Sequence, residues 1–211
     1  MLFDEKYSKH YDMFNRSKPY KQEIEFVYQW AGEPKSIFDI GAGTASYWKY
    51  YPKTVKLSGI DKSEAMAKGK NIVIGDVTEH KFTGNVDCVT ALFDVINYIP
   101  VHNWWERLPL RKGGVFIFDI WHADKVRKDG FRKTVKVVEG ITRVITPLLC
   151  DGGVVDLKIE VMNGMGVEHT EMHRMYIYDR KMIEKFCGDS FEIEEVKETE
   201  SWMQWWKLRR R

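Results

Sequence analysis

Three acidic residues near the ends of short apolar runs are the first candidates for ligand binding. Asp39 lies in the first of these runs, and Asp61 and Asp76 directly follow the next two. A carboxylate at a strand end can accept both hydroxyls of a ribose, as an acid about twenty residues beyond a glycine-rich turn does in dinucleotide folds. Because Asp61 lies 18 residues after Gly43, we predict this ribose role for it. The alternative is that Asp61 caps a helix over residues 63–70.

The turn Gly41-Ala42-Gly43 follows the first apolar run and is the second chemical signal. Glycine reaches backbone conformations closed to other residues, and it lets a ligand approach the main chain without meeting a Cβ. An adenosine-containing cofactor requires such a surface. The turn alone does not decide the matter, since a plain structural loop has the same pattern.

The elements that must position these residues form a repeating series. Apolar runs bounded by polar or helical segments cover residues 36–40, 55–60, 71–75, 86–93 and 114–120. Such an order predicts a parallel sheet with helices on both faces. Ligands of open α/β sheets bind outside the carboxyl ends of the strands, so the acids and the glycine turn should meet there.

Five motifs in register carry a resemblance to a known family. The segments DIGAGTA, GIDKSEAM, GDV, ALFDVINY and KGGVFIFDIW resemble the ordered motif set of class I S-adenosylmethionine-dependent methyltransferases. The resemblance implies a Rossmann-like α/β fold with a mostly parallel seven-stranded sheet flanked by helices and an antiparallel strand insertion covering the active site. Residues 11–14 and Tyr20 are similar to the N-terminal segment of small sugar methyltransferases, including deoxyaminosugar N-methyltransferases. The chain departs from the family at Ala45, where a third glycine is usual.

This resemblance implies S-adenosyl-L-methionine as the cofactor, with S-adenosyl-L-homocysteine as its product. We expect the cofactor to contact Tyr11, Tyr20, Asp39, Gly41, Ala42, Gly43, Asp61, Lys62, Met66, Gly75, Asp76, Val77 and Phe93. We expect the acceptor to contact Asn15, Asn97, Tyr98, Trp121, His173 and Tyr176. An aromatic face near the sulfonium would attract it by cation–π interaction.

Methyl transfer to a hydroxyl needs a base, and histidine or a carboxylate at a strand end suits that role. His122 is the first candidate and Asp94 the second, because both follow predicted strands at the cofactor edge. His169 and His173 come third; an even spacing places them on one face of a strand. A structural role is the alternative for each histidine. Asp94, Asp119 and Asn97 could supply oxygen ligands to Mg²⁺, but their spacing is unspecific and we predict no metal.

We expect one methyltransferase domain over 1–211. Residues 1–35 would form an N-terminal helical lid, with a helix over 20–30, and residues 36–122 the cofactor-binding core. Alternating strands separated by glycine turns predict an antiparallel substrate-binding cap over 123–178. A helix from about Asp179 to Gly188 and two strands would close the domain over 179–211. Tryptophans at 48, 104, 105 and 121 could stack on sugar rings or fill the core.

Composition excludes several classes of protein. The 33 basic and 31 acidic side chains leave a charge of +2, which argues against a nucleic-acid partner. No apolar run approaches the roughly 20 residues of a membrane span, and the first residues lack a signal-peptide pattern. Three cysteines without metal-ligand spacing predict buried thiols and a cytoplasmic location. The chain could form a homodimer or be a domain of a larger biosynthetic protein.

Four functions compete at this level. The first is methylation of a sugar hydroxyl or amine, on a sugar, a sugar nucleotide or a glycan deoxysugar, in glycan biosynthesis. The second is methylation of another small amine or natural product. The third is an NAD-dependent oxidoreductase, although that class prefers glycine where this chain has Ser46. The fourth is a catalytically inactive module that binds the cofactor without turnover.

Overall fold

The computed structural model describes residues 3–100, 104–199 and 202–211, with the side chains of all of these except residues 149 and 150. The helices in these ranges are α1 (Glu5–Asn15), α2 (Tyr20–Trp30), α3 (Val95–Tyr98), α4 (Ala123–Asp129) and α5 (Arg180–Cys187). The strands are β1 (Ser36–Ile40), β2 (Lys56–Asp61), β3 (Ile72–Ile74), β4 (Val86–Ala91), β5 (Leu110–Trp121), β6 (Thr134–Val138), β7 (Ile141–Asp151), β8 (Val154–Asn163), β9 (Gly166–Tyr176), β10 (Phe191–Glu198) and β11 (Met203–Arg210).

The larger sheet of the described residues has seven strands in the order β10-β11-β5-β4-β1-β2-β3. Strands β1 to β5 pair in parallel with their neighbours in this series. Strand β11 runs antiparallel to both β5 and β10. The carboxyl ends of the parallel strands therefore meet at one edge, and the predicted Rossmann-like architecture is confirmed.

Strand β5 shows how two apolar layers hold this sheet. Successive residues of a strand point to opposite faces. Phe116 and Phe118 accordingly join one buried layer, together with Trp105 and residues of α5. Val115 and Ile117 join the other layer, beneath α2. Burying an aromatic or branched side chain contributes roughly 1.5–3 kcal/mol, so β5 anchors the core.

The tryptophans that follow β4 belong to this core. Trp104 and Trp105 are buried at 2% and 3% exposure and pack edge-to-face against one another. Of the two roles considered for them, sugar stacking and core filling, the structure supports core filling. Cys88 and Cys187 are buried free thiols, as expected. The side chain of Cys150 lies outside the described part of the chain.

The N-terminal helices follow from their local sequence. Asp4 caps α1 by accepting hydrogen bonds from the amides of Lys6 and Tyr7. The predicted helix over 20–30 is confirmed, with Ile24 and Val27 on its buried side. A side-chain cap therefore fixes the start of α1, and the apolar face of α2 packs on the sheet.

The second sheet is antiparallel, in the order β6-β7-β8-β9. Its hairpins turn where the sequence predicted, with positive φ at Glu139, Gly140, Gly152 and Gly153. From Thr170 to Met175, exposed and buried residues of β9 alternate. The buried face packs on α1 and on α4, so this sheet lies against the N-terminal segment. The helix after Asp179 and its end at Gly188 are also confirmed.

Residues 63–70 do not form the helix that was the alternative explanation for Asp61. They form turns rather than a helix, because Asp61 and Ser63 accept hydrogen bonds from the nearby amides of Ser63 and Met66, which closes a tight turn. Asp61 therefore caps no helix. In the described residues, no helix is both long enough and apolar enough to cross a membrane.

Candidate functional site

The glycine turn after β1 is held tightly against the sheet. Gly41 donates a 2.8 Å hydrogen bond to the carbonyl of Ile60 and has φ +66°. A Cβ at Gly41 would lie 2.4 Å from a methyl group of Val95. Because no side chain fits there, the backbone of the turn forms the floor of the site. At Gly43, with φ +52°, a Cβ would meet only ordinary contacts.

The carboxylate of Asp61 organises the adjoining loop. It accepts hydrogen bonds from the amides of Gly43, at 2.7 Å, and Ser63, at 2.8 Å. Burial raises the pKa of Asp61, although these two amides act to lower it. The carboxylate thus links the glycine turn to the loop after β2 at the carboxyl edge of the sheet.

Lys62 and Asp76 join the ends of β2 and β3. Their charged atoms lie 2.7 Å apart, with Lys62 largely in solvent. Partial burial acts to raise the pKa of Asp76, but hydrogen bonds from Lys62 and Thr78 lower it below its ordinary value. Asp76 is therefore ionised and fixed near the rim.

A cavity of about 440 Å³ opens at this edge, within the size range of small-molecule sites. Its wall includes the turn, the loop ends and aromatic side chains from the N-terminal segment. All of the predicted cofactor residues except Asp39 contribute to it, namely Tyr11, Tyr20, Gly41, Ala42, Gly43, Asp61, Lys62, Met66, Gly75, Asp76, Val77 and Phe93. The structure therefore brings these distant segments around one space.

Asp39 lies beneath the cavity rather than in its wall. Its carboxylate accepts hydrogen bonds from the Trp48 indole, at 2.8 Å, and from the Thr90 hydroxyl, at 2.7 Å. Burial raises its pKa to about 6. Asp39 and Trp48 thus hold β1, β4 and the turn together, and neither lines the cavity.

The loop after β4 is conformationally strained. Phe93 and Asp94 both have positive φ, at 69° and 64°, which non-glycine residues rarely adopt. Their amides donate hydrogen bonds of 3.0 and 2.9 Å to the carboxylate of Asp119. The buried Asp119 therefore compensates for the strain and turns Phe93 into the cavity wall.

Asp94 has an unusual carboxyl group. Its Oδ1 is buried without a hydrogen-bond partner among the described residues. Burial and the neighbouring charge of Asp119 raise the pKa of Asp94 to about 7, while the positive charge of Lys18 acts in the opposite direction. The carboxyl group does not contribute to the cavity wall, although the residues on both sides of it do.

Solved structures share this architecture. An S-adenosylmethionine-dependent methyltransferase from Clostridium acetobutylicum has a TM-score of 0.80 at 18% sequence identity, over 97% of this chain and 97% of that one. CalS10, an amino pentose methyltransferase from Micromonospora echinaspora in its SAM-bound structure, has a TM-score of 0.77 at 18% identity, over 100% and 99%. The sugar N-methyltransferase KedS8 from Streptoalloteichus has 0.71 at 19%, over 95% and 93%.

The chain has the fold of S-adenosylmethionine-dependent methyltransferases. No model of a protein family and no curated protein sequence matches it. At this level of identity the likeness concerns the fold, and the resemblance that the five motifs carried is confirmed to that extent. Sugar and aminosugar methyltransferases are among the similar structures.

His122, the first candidate base, does not contribute to the cavity wall. Its Nε2 lies 3.5 Å from the carboxylate of Glu198, and its amide donates to the carbonyl of Trp202. Its Nδ1 is buried without a partner among the described residues. His122 follows β5 directly, as predicted, and precedes α4. Its side chain lies near Glu198 of β10 rather than at the cavity.

The predicted acceptor residues divide into two groups. Asn15, Asn97, Trp121 and Tyr176 make structural contacts: Asn15 bonds to the carbonyl of Tyr11, and Asn97 joins the carbonyl of Tyr176 to the amide of Trp121. Tyr98 lines the cavity. His173 is buried at 1% exposure and reaches the cavity only through a 2.9 Å hydrogen bond to the Tyr98 hydroxyl.

Sequence reasoning missed several residues at this site. Phe3 and Tyr47 line the cavity, and Tyr47 donates a 2.6 Å hydrogen bond to Glu23. Glu171 bonds to His173 and to the amides of Phe3 and Asp4. The alternation of β9, which placed the two histidines on one face, would have placed Glu171 there as well.

Glu171, His169 and Asp4 bring ligand atoms within 4.8 Å of one another. Hydrogen bonds account for the two carboxylates of this group, and Nε2 of His169 lies between them, 3.3 Å from Asp4 and 3.2 Å from Glu171. The carboxylate of Asp4 caps α1, and that of Glu171 accepts amides from the N-terminal segment. The carbonyl of Phe3 in turn accepts the hydroxyl of Ser63 at 2.6 Å. The N-terminal segment is thus tied across the cavity, from the loop after β2 to β9.

Proposed function

We propose that this chain is an S-adenosylmethionine-dependent methyltransferase that acts on a hydroxyl or amine of a sugar, a sugar nucleotide or a glycan deoxysugar. One observation carries the proposal: the glycine turn, the Asp61 carboxylate and an aromatic wall surround a single cavity at the carboxyl edge of the sheet. The sugar as acceptor is supported by the similar structures that are sugar methyltransferases.

The residues at the cavity fit the cofactor's chemistry. The backbone of the turn at Gly41 and Gly43 would hold its amino-acid portion, because both glycines line the cavity and have the positive φ angles that expose their main chain. Asp61 would accept the ribose hydroxyls. The apolar side chains of Val77 and Ile99 would cover the adenine. This donor and acceptor set matches an adenosine-containing ligand.

The aromatic wall suits a cation. Tyr11, Tyr20 and Phe93 line the cavity, and a cation over an aromatic face gains about 0.5–2 kcal/mol. The cofactor, when bound, supplies an activated methyl group on a sulfonium. The protein's contribution is then to hold the acceptor in line, which can lower a barrier by roughly 7–11 kcal/mol. Phe3, from the N-terminal segment, lines the same cavity.

Calorimetric titration tests this function. We expect S-adenosylmethionine and S-adenosylhomocysteine to bind to the wild-type protein, with NAD(H) inert as the control. Nucleotide sugars and deoxyglycosides are then added to the loaded protein, and methylated products are sought by mass spectrometry. Preference for NAD(H), or no binding of either sulfur compound, would refute the proposal. Binding without transfer to any acceptor would indicate an inactive binding module. Transfer only to non-sugar amines would show that the acceptor is another small amine and not a sugar.

A further inference from the structure

Tyr98, His173 and Glu171 form a chain of hydrogen bonds that ends at the cavity. The Tyr98 hydroxyl lies 2.9 Å from Nδ1 of His173, and Nε2 of His173 lies 2.7 Å from Oε2 of Glu171. His173 and Glu171 are buried, at 1% and 5% exposure. Tyr98, at the end of α3, contributes to the cavity wall. The three groups therefore connect the cavity to a buried carboxylate.

We assign the protons of this chain from their hydrogen-bond partners. Burial acts to raise the pKa of Glu171, but hydrogen bonds from His173 and from the amides of Asp4 and Phe3 lower it to about 2. Glu171 is thus ionised and accepts the proton on Nε2 of His173. We assign Nδ1 as the acceptor of the Tyr98 O–H, which is the tautomer that leaves the Nε2 proton to Glu171.

This orientation leaves acceptor capacity on the Tyr98 oxygen. Among the described residues, no other donor bonds to that oxygen. Burial raises the pKa of Tyr98 well above its ordinary value, so Tyr98 stays a neutral phenol at working pH. A neutral phenol that donates to histidine can accept a hydrogen bond from a ligand in the cavity.

The surroundings of His173 keep the chain of hydrogen bonds in place. The rings of Phe3 and Tyr7 lie 4.9 and 6.4 Å from the imidazole, edge-on. The other charged or titratable groups facing His173 and Glu171 are His169, 3.2 Å from Glu171, and Asp4, 3.3 Å from His169. Asp94 and Tyr11 act on Tyr98, and Arg143 bonds to the Tyr7 hydroxyl. Aromatic packing thus excludes water from the imidazole and fixes its orientation.

We propose that Tyr98, His173 and Glu171 form a proton relay that removes the proton from an acceptor hydroxyl, so that methyl transfer takes place on oxygen. The inference rests on the proposed function, because it assigns the acceptor class at the same cavity. Tyr98 is the catalytic residue, and His173 and Glu171 act through it.

The protons balance in one step. The acceptor O–H bond breaks as its oxygen gains the methyl group, and that proton passes to the Tyr98 oxygen. The original Tyr98 proton moves to Nδ1 of His173, which becomes an imidazolium paired with the Glu171 carboxylate. The positive charge lost when the methyl group leaves its sulfonium therefore ends on His173. The arrangement follows the logic of a hydroxyl, histidine and carboxylate triad.

The relay favours a hydroxyl over an amine. A neutral amine attacks through its lone pair and needs no base before the methyl group is transferred. A sugar hydroxyl is a weak nucleophile unless its proton leaves during attack, and a positioned base contributes about 10²- to 10⁴-fold to such a step. A buried, fully hydrogen-bonded relay therefore contributes most to transfer onto a hydroxyl, whose proton must leave during attack.

The test compares Tyr98→Phe with Tyr7→Phe in the protein loaded with S-adenosylmethionine. Tyr7→Phe is the matched control, because it removes a hydroxyl from the same aromatic cluster outside the cavity wall. For a methylated hydroxyl we expect Tyr98→Phe to lower kcat about 100-fold or more, with KM and S-adenosylhomocysteine affinity nearly unchanged. His173→Gln, which removes the imidazole that takes up the Tyr98 proton, should lower kcat by a similar factor with S-adenosylhomocysteine affinity nearly unchanged.

A second measurement does not depend on turnover. Nitrogen-15 NMR of the protein labelled at histidine, with S-adenosylhomocysteine bound, should show a proton on Nε2 and none on Nδ1 of His173. A proton on Nδ1 at neutral pH would overturn the relay, and so would equal kcat for Tyr98→Phe and wild type. Transfer only to amines would overturn the hydroxyl assignment. Failure to bind either sulfur compound would instead refute the proposed function.

Discussion

The glycine turn and the Tyr98–His173–Glu171 relay meet the same cavity, but they are assembled over different distances along the chain. Gly43 bonds to a residue 18 positions away. Tyr98 and His173 are 75 positions apart, and Phe3 and Glu171 are 168 apart. The turn is therefore a local motif of adjacent strands, whereas the relay exists only after β9 and the N-terminal segment have packed together.

The carboxyl groups of the two regions also differ in the direction of their pKa shifts. At the turn, burial raises the pKa of Asp39 to about 6 and also raises that of Asp61. At the relay, hydrogen bonds lower the pKa of Glu171 to about 2 despite its burial. At the turn, the cost of burying the carboxylate therefore exceeds the effect of its hydrogen bonds, whereas at the relay the hydrogen bonds exceed the cost of burial.

The largest expected effect is on cofactor binding at the turn. Asp61→Ala removes the carboxylate that we assign to the ribose, and each charge-assisted hydrogen bond lost costs about 1.5–3 kcal/mol. Because both ribose hydroxyls lose their acceptor, we expect S-adenosylmethionine affinity to fall by about 100-fold or more in calorimetric titration. The NMR signals of the His173 ring should stay unchanged, because the relay shares no hydrogen bond with Asp61.

Asp129→Ala, at an exposed position, is the control for loss of a negative charge. This variant should bind S-adenosylmethionine with the same affinity as the wild type. Unchanged affinity in a folded Asp61→Ala protein would remove the ribose role. A change in the His173 signals of that variant would show that the two regions are coupled through the N-terminal segment, and the contrast between them would not hold.

The same contrast explains how much the sequence predicts. The strands, the hairpins and the cavity residues of the turn are local patterns, and they are found where the motifs place them. Asp39 was assigned to the cofactor because it precedes the turn, but strand alternation buries it between Trp48 and Thr90. His122 follows a strand end as expected, yet pairing of β11 with β5 directs it to Glu198. Such outcomes depend on contacts between remote segments.

The pH dependence of stability should separate the two regions. The folded pKa of Asp39, about 6, exceeds its ordinary 3.8, so its protonated form stabilises the fold below about pH 4. That contribution disappears as the pH rises through 6. The folded pKa of Glu171, about 2, lies below 4.5, so its contribution is present above pH 4.5 and disappears as the pH falls toward 2.

Urea unfolding across pH measures both effects. Relative to wild type, Asp39→Asn should gain about 2–3 kcal/mol between pH 4 and 7, at 1.36 kcal/mol per pKa unit. Glu171→Gln should lose a similar amount between pH 2 and 5. The exposed Glu192→Gln should follow the wild type throughout. If the free energy of unfolding of both variants, relative to wild type, changes in the same direction with pH, the pKa shifts of the two regions do not have opposite signs.

The smallest expected effect concerns Ala45, within the turn. Ala45 has φ +57°, a left-handed conformation that costs an ordinary residue about 1–2 kcal/mol. The family's usual glycine would remove this cost but would lose about 0.4–1 kcal/mol through the greater freedom of the unfolded chain. We therefore expect Ala45→Gly to raise the free energy of unfolding by about 0.5–1 kcal/mol in urea.

The expected sign depends on backbone conformation alone, which makes a neighbouring alanine a matched control. Ala67 is not among the residues with positive φ, so Ala67→Gly should lose stability where Ala45→Gly gains it. Equal losses in both variants would mean that Ala45 is not strained. Opposite signs would show that the turn tolerates alanine at a cost, since its geometry is dictated by Gly41 and Gly43 rather than by the third position.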